Sequence, residues 1–205
     1  CDPNTKRPLV ASKRDTSGNK IRNSGGFRQA SINFVEIEAW WSKHPNAMIG
    51  IPTGNASGFV VLDLDHDPDK GIDGLFELKR LEDQYGPMPV TGKVISPRGG
   101  VHYYFRLPPD VVIKNSASSI APGIDIRGEG GYIIAAGSIR ADGSKYKCVH
   151  PLDDSTPIPD WLSALAASSR ALKIKIAASK SPSRLYANSN VSIDEEIAKV
   201  ADTRE

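Results

Sequence analysis

The stretch Phe59–Asp65, F-V-V-L-D-L-D, constrains this chain more than any other. In an extended backbone successive side chains point to opposite faces. Val60, Leu62 and Leu64 therefore share one face, while Val61, Asp63 and Asp65 share the other. The first face demands a core. The second sets two carboxylates about 6.5–7 Å apart at the base. Carboxylates at that spacing repel each other unless a cation sits between them. A pair of Mg²⁺ or Mn²⁺ ions roughly 3.5–4 Å apart suits them, and such pairs drive in-line phosphoryl transfer. A D-x-D pair alone is weak, since acidic pairs abound on protein surfaces. The run D-L-D-H-D also resembles the opening of an EF-hand calcium loop, which needs Gly at its sixth position and an acid at its twelfth. Counted from Asp63 those positions hold Pro68 and Gly74, and from Asp65 they hold Lys70 and Phe76, so the EF-hand reading fails.

Two other segments repeat the alternation. In Val101–Leu107, His102 and Tyr104 alternate with Val101, Tyr103 and Phe105, which turns the histidine away from the apolar set. Just before it stand Arg98, Gly99 and Gly100, where glycines let backbone approach a ligand and an arginine can fork onto phosphate oxygens. In Ile124–Arg127, Asp125 lies between two aliphatics and shares its face with Arg127. A lone histidine is more often a satisfied or merely exposed imidazole. Three strands that each carry polar groups on one face and aliphatics on the other say more than any one of them.

Around these strands the pattern predicts a helix over Ser31–Trp41 ending before Pro45, and a short strand Ala47–Ile51 stopped by P-T-G-N. An amphipathic helix follows over Gly74–Tyr85 through Leu75, Leu78 and Leu81. Strands Lys93–Ser96 and Val101–Leu107 flank the turn P-R-G-G. Strands Ile124–Arg127 and Tyr132–Ala136 flank Gly128-Glu129-Gly130-Gly131, a loop of hairpin length that reads as a structural turn. Trp161 begins a last short helix of the domain. Between Ser163 and Ser192 there is no acidic residue, and Ala, Ser, Lys and Arg dominate; residues 164–191 read as a basic linker. Ser192 with Glu195 is a capping-box signature that opens a further helix in 192–205.

The bulk properties bound the answer. A chain of 205 residues, 39% hydrophobic, can bury one good-sized core. Fifteen prolines and eighteen glycines favour a mixed or strand-rich domain over a helical bundle. Two cysteines, Cys1 and Cys148, give neither a disulfide framework nor a four-cysteine zinc site, so no zinc is expected, and they suit a reducing cytoplasm. No apolar run is long enough for a membrane span and no signal-peptide pattern opens the chain. It begins with Cys1, as expected of a piece of a longer gene product. A net charge of +2 excludes little, but its distribution is uneven. Lys6, Arg7, Lys13, Arg14, Lys20, Arg22 and Arg28 face only Asp2 and Asp15 in the first thirty residues, whereas Asp63 to Asp83 is strongly acidic. A basic arm beside an acidic site suits a protein that grips phosphates while holding cations.

In order along the chain, G-I-P-T-G (50–54), V-V-L-D-L-D (60–65), S-P-R-G-G-V-H-Y-Y-F (96–105) and G-I-D-I-R-G-E-G-G-Y-I-I-A-A (123–136) resemble the bifunctional primase-polymerase domain of the archaeo-eukaryotic primase superfamily, common in plasmids, phages and integrated elements. Lys6-Arg7-Pro8-Leu9, Trp40-Trp41, Gly137-Ser138 and Tyr146 extend the likeness, which covers residues 1 to about 163 as one catalytic domain. The resemblance implies an α/β (α+β) fold with an RRM-like mixed or antiparallel catalytic sheet flanked by helices and an N-terminal αβ unit, its first αβ element either missing or lying upstream of Cys1. It implies a DNA-template-dependent nucleotidyltransferase that makes and extends primers, with two Mg²⁺ or Mn²⁺ ions held by Asp63, Asp65 and Asp125. His102 falls where the family contacts the phosphates of the incoming nucleotide. Gly100 stands where the family often has a small hydroxyl residue. Arg98, Gly99, Gly100, Arg127 and Ser138 are further candidates for the nucleotide site, and Lys6, Thr53 and Tyr146 either line it or serve as turn and core residues. Implied partners are a single-stranded DNA template, NTP or dNTP, and a helicase module in the same polypeptide or complex. Template gripping is expected of the basic N-terminal segment, with 170–184 as a second contributor or a tether. Two rival readings stand beside this one: a metal-dependent nuclease, and a nucleic-acid-binding module without activity.

Overall fold

The computed structural model describes residues 1–108 and 111–167. Its ten strands are β1 (Gly50–Pro52), β2 (Phe59–Leu64), β3 (His66–Asp67), β4 (Ile72–Asp73), β5 (Gly92–Ile95), β6 (Val101–Arg106), β7 (Ser116–Ala121), β8 (Ile124–Arg127), β9 (Tyr132–Ile134) and β10 (Lys147–His150). Helix α1 spans Phe34–Lys43 and α2 spans Gly74–Tyr85, and residues 160–167 are helical. Six strands form the main sheet in the order β10-β5-β6-β2-β8-β7, and every ladder in it is antiparallel. The result is a mixed α/β domain, as expected, with antiparallel sheets flanked by helices.

The strand Phe59–Leu64 lies centrally because both of its faces are covered. Val60, Leu62 and Leu64 pack with Val101, Phe105, Ile124, Ile126, Leu78 and Leu162 into one core. Val61 packs with Val94, Tyr104, Met48, Ile133, Ile134 and Tyr146 into a second core on the opposite face. Asp63 therefore emerges from a buried face, not from open surface. Helix α2 covers the first core. Asp73 caps it by accepting from the backbone N–H of Leu75 and Phe76, each at 3.1 Å. Leu78 is buried and Leu81 packs against the core, but Leu75 is exposed. Trp161 stacks on Tyr85 at 5.9 Å and Leu162 is fully buried, which fastens the last helical turns to the same core.

Helix α1 begins later than Ser31, because Asn33 is its cap and accepts from Val35 N–H at 2.9 Å. The strand expected over Ala47–Ile51 forms over Gly50–Pro52, since its pairing partner Tyr132–Ile134 fixes it there. One expectation needs correction: the loop Gly128–Gly131 is not a hairpin turn. Strand β8 pairs with β2 and β7, whereas β9 pairs with β1 in a separate two-stranded sheet. The glycines hand the chain from one sheet to the other by pressing onto neighbouring backbone. Glu129 N–H donates to Ile113 O at 2.7 Å and Thr53 N–H donates to Gly131 O at 3.1 Å. A Cβ on Gly128 would lie 2.2 Å from Ile113 O, a backbone atom that could not step aside. The basic segment from residue 168 and the helix expected from Ser192 lie outside the described residues.

Candidate active site

Register brings the three sequence-predicted polar groups into one row. Asp63 is paired directly with His102 on one side and with Asp125 on the other. Directly opposed residues of an antiparallel pair share a face, with Cβ atoms about 4.5–5.5 Å apart. Val61 is paired with Arg127, so the arginine reaches diagonally along the same face. Its Nε donates to Asp63 Oδ2 at 2.9 Å and an Nη donates to Asp125 Oδ2 at 2.8 Å. Burial pulls the guanidinium down, but Asp63 and Asp125 outweigh it and hold Arg127 above its ordinary value. Asp125 also accepts from Ser118 N–H at 2.8 Å.

Asp65 lies one residue beyond the end of β2. Its N–H donates to Gly123 O and its carbonyl accepts from Gly74 N–H, each at 2.8 Å, so the backbone that carries it is fixed at both ends. Burial, with the nearby charges of Asp63 and Asp125, pushes the Asp65 carboxyl above its usual value. One guanidinium thus does not neutralise three carboxylates. The imidazole of His102 adds no charge: burial holds its pKa below the usual histidine value, against the pull of Asp63. His102 Nε2 stands 3.4 Å from Asp63 Oδ1. Nδ1 is buried without a partner, as is the hydroxyl of Tyr104 on the same face.

In front of this row opens a cleft of about 280 Å³. Asp63, Asp65, His102 and Arg127 line it, together with Lys6, Arg98, Gly100, Arg140 and Tyr146. Lys6 adopts φ +64, a left-handed conformation uncommon outside glycine. The turn that imposes it is held from several sides. Lys6 N–H donates to Asp2 O, the Tyr132 hydroxyl donates to Lys6 O at 3.1 Å, and Arg140 donates to Asn4 O at 2.8 Å. Burial, then the charges of Arg98 and Arg140, lower the Lys6 ammonium from its ordinary value. These three cations repel one another in a half-buried space. Asp63 and Asp65 offset part of that cost, and an entering anion offsets more.

The remaining predicted residues divide. Gly100 lines the cleft, but what its missing side chain permits is contact with Leu64 O, 2.5 Å from where a Cβ would sit. Gly99 takes φ +86 in the turn that carries Arg98. Ser96 also lines the cleft and closes that turn through Ser96 N–H to Gly100 O at 2.8 Å. Ser138 is buried, and its Oγ accepts from Ile49 N–H at 3.1 Å, which ties two loops behind the site. Thr53 is buried too and donates to Gly128 O at 2.8 Å. Reasoning from sequence missed Arg140, Asn115, Phe27 and Tyr132 as cleft residues. Arg140 stands only two places after Ser138, so nearness to the last sequence block was its one signal. Asn115 has none, because the contact of 113–115 with 128–129 that places it is purely tertiary.

Among the described residues no three His, Cys, Asp or Glu side chains are drawn together as a ready-made metal cage. The donor chemistry still fits a hard divalent cation. Asp63, Asp65 and Asp125 offer carboxylate oxygens, and Asp65 is raised first by burial and then by the charges of Asp63 and Asp125.

Compared with family models, the chain matches Prim-Pol, described as bifunctional DNA primase/polymerase, N-terminal, over residues 1–161. Among curated proteins none matches.

Proposed function

The chain belongs to the Prim-Pol family of bifunctional DNA primase/polymerases, and on that premise we propose that it joins nucleotides on a single-stranded DNA template, making and extending primers. The observation that carries the reading is the charge layout of the cleft, with carboxylates Asp63 and Asp65 facing the cations Lys6, Arg98 and Arg140. A nucleoside triphosphate bound with divalent metal requires both walls at once. Lys6, Arg98 and Arg140 bind phosphate oxygens, and the planar fork of arginine holds them in a fixed direction. Asp63, Asp65 and Asp125 would hold Mg²⁺ or Mn²⁺, which when bound lowers the pKa of an attacking 3′-hydroxyl and stabilises charge on the leaving pyrophosphate. Neutral His102, whose Nε2 stands 3.4 Å from Asp63 Oδ1 in the free protein, offers a ring N–H to a phosphate oxygen when the nucleotide is seated. Tyr146, packed against His102 at 5.8 Å, keeps the ring in place and water out from behind it.

The test is incubation with Mg²⁺ or Mn²⁺, a defined single-stranded template and labelled nucleotides, comparing NTPs with dNTPs. Template-length-limited products that lengthen with time support the reading, whereas shortened template points to the nuclease. Asp63→Asn lowers incorporation on the order of 100-fold or more if the carboxylate acts at the reacting centre. A protein that incorporates no nucleotide yet binds template is a binding module, and the proposal then fails.

A further inference from the structure

We infer that residues 12–24 form a discrete basic arm that grips the phosphate backbone of single-stranded DNA beside the cleft; the choice of DNA rests on the reading above. The arm is a small antiparallel hairpin. Arg14 and Lys20 are bridged, Ile21 N–H donates to Lys13 O at 2.8 Å, and Asp15 N–H donates to Asn19 O at 2.9 Å. Asp15 closes the tip by accepting from the N–H groups of Ser17 and Asn19 at 3.0 and 2.8 Å. The base is closed by Lys13 N–H to Ser24 Oγ at 2.9 Å and by Gly26 N–H to Val10 O at 2.9 Å. Gly25 lies so close to Ser12 that a Cβ would come within 2.5 Å of its backbone nitrogen.

What this hairpin presents is charge. Lys13, Arg14, Lys20 and Arg22 are all exposed, and among the described residues none of them has an ion-pair partner. Asp15, the one acid in the arm, is occupied by the turn. The contrast with α2 is instructive, for there Lys79 pairs with Asp83 and Arg80 with Glu77. Four cations against the single carboxylate of Asp15 leave the formed hairpin net positive, and a polyanion relieves the repulsion among them. The arm's position selects the polyanion. Its second strand runs into Phe27, which stacks on Tyr132 at 5.8 Å with planes 20° apart, and both rings line the cleft. Arg28 covers the Phe27 ring at 5.4 Å and continues the basic surface from arm to cleft.

Binding of a fluorescent oligodeoxynucleotide by the full chain, measured across salt concentrations without nucleotide or metal, tests this. The variant Lys13→Gln, Lys20→Gln, Arg22→Gln removes three cations and keeps Arg14, whose guanidinium bonds Gly18 O in the turn. Each phosphate contact on a single strand contributes about −0.7 to the slope of log K against log salt, so the slope becomes shallower by roughly 2. Between about 50 and 200 mM salt the wild type then loses about twenty-fold more affinity than the variant. The control Lys79→Gln, Arg80→Gln is expected to keep the wild-type slope. Thermal unfolding of all three proteins checks that the arm variant is folded. An arm variant with wild-type slope and affinity overturns the inference, as does a control that loses as much slope as the arm variant. Nucleotide incorporation run in parallel separates the two claims. Arm-dependent binding without incorporation refutes the enzymatic reading alone, and incorporation with arm-independent binding refutes the arm alone.

Discussion

Replacing Arg127 with Gln isolates the central electrostatic claim. Arg127 is the only cation hydrogen-bonded to Asp63 and Asp125 among the described residues, at 2.9 and 2.8 Å, and those carboxylates are only 9% and 6% exposed. Removing one partner of a buried ion pair costs roughly 3–5 kcal/mol, because the other charge stays buried without compensation. The arginine side chain is itself 28% exposed, so water offsets part of that, and about 2–4 kcal/mol is expected. For a domain of this size 1 kcal/mol corresponds to about 2–4 °C, which places the melting temperature of Arg127→Gln roughly 5–15 °C below wild type. Thermal unfolding followed by circular dichroism in EDTA near neutral pH measures it. Two further comparisons separate this cause from simple loss of packing. Mg²⁺ should restore more stability to the variant than to wild type, since it replaces the missing cation. Asp125→Asn should be less damaging in the variant background than alone, because the pair is coupled. A variant that melts within about 2 °C of wild type, or that gains no more from Mg²⁺, refutes the account.

Other outcomes follow from the same geometry. Asp65→Asn should raise the melting temperature in EDTA at neutral pH while lowering incorporation, because the ionised Asp65 is disfavoured in the folded chain by burial and by Asp63 and Asp125. The sign fixes the pH window: a carboxyl raised by folding penalises the native state above its folded pKa, so the gain shrinks as pH falls towards the ordinary aspartate value. Unfolding temperatures of both proteins from pH 4 to 8 (an aspartate range of about 3.9 and upward) check this. Lys6→Met should raise the nucleotide KM more than it lowers kcat if the ammonium binds phosphates as proposed, in the ground state as well as in the transition state. Gly100→Ala should cost about 1–3 kcal/mol, as its Cβ would lie 2.5 Å from Leu64 O and backbone must shift; urea denaturation reads the loss directly.

Much of the polar row was legible in the sequence because strand alternation is a local property. Asp63 and Asp125 each sit between aliphatics and His102 between Val101 and Tyr103, so each strand declared its own polar face before any pairing was known. The boundaries of Gly74–Tyr85 and Ile124–Arg127 were readable for the same reason, one from helical spacing and the other from alternation closed by glycine. The strands Ser116–Ala121 and Lys147–His150 were not, since S-A-S-S-I-A and K-C-V-H carry neither alternation nor an apolar face, and they take their form from the strands beside them at the two sheet edges. The hairpin expected across Gly128–Gly131 failed because loop length says nothing of which partner a strand will find.

What sequence alone determined was the inventory of the site: which residues carry carboxylates, imidazole and guanidinium, and that they face away from the aliphatic core. What only tertiary structure decided was who stands opposite whom. Register set Asp63 between His102 and Asp125, a diagonal reach turned Arg127 into the counter-ion of two aspartates, and a turn held by Asp2 and Tyr132 drove Lys6 into the cleft beside Arg98 and Arg140. The reason is physical. Periodicity is written in neighbouring residues, whereas electrostatic pairing depends on distances between atoms sixty or more positions apart along the chain, as from Asp63 to Arg127, and only the closed sheet sets those.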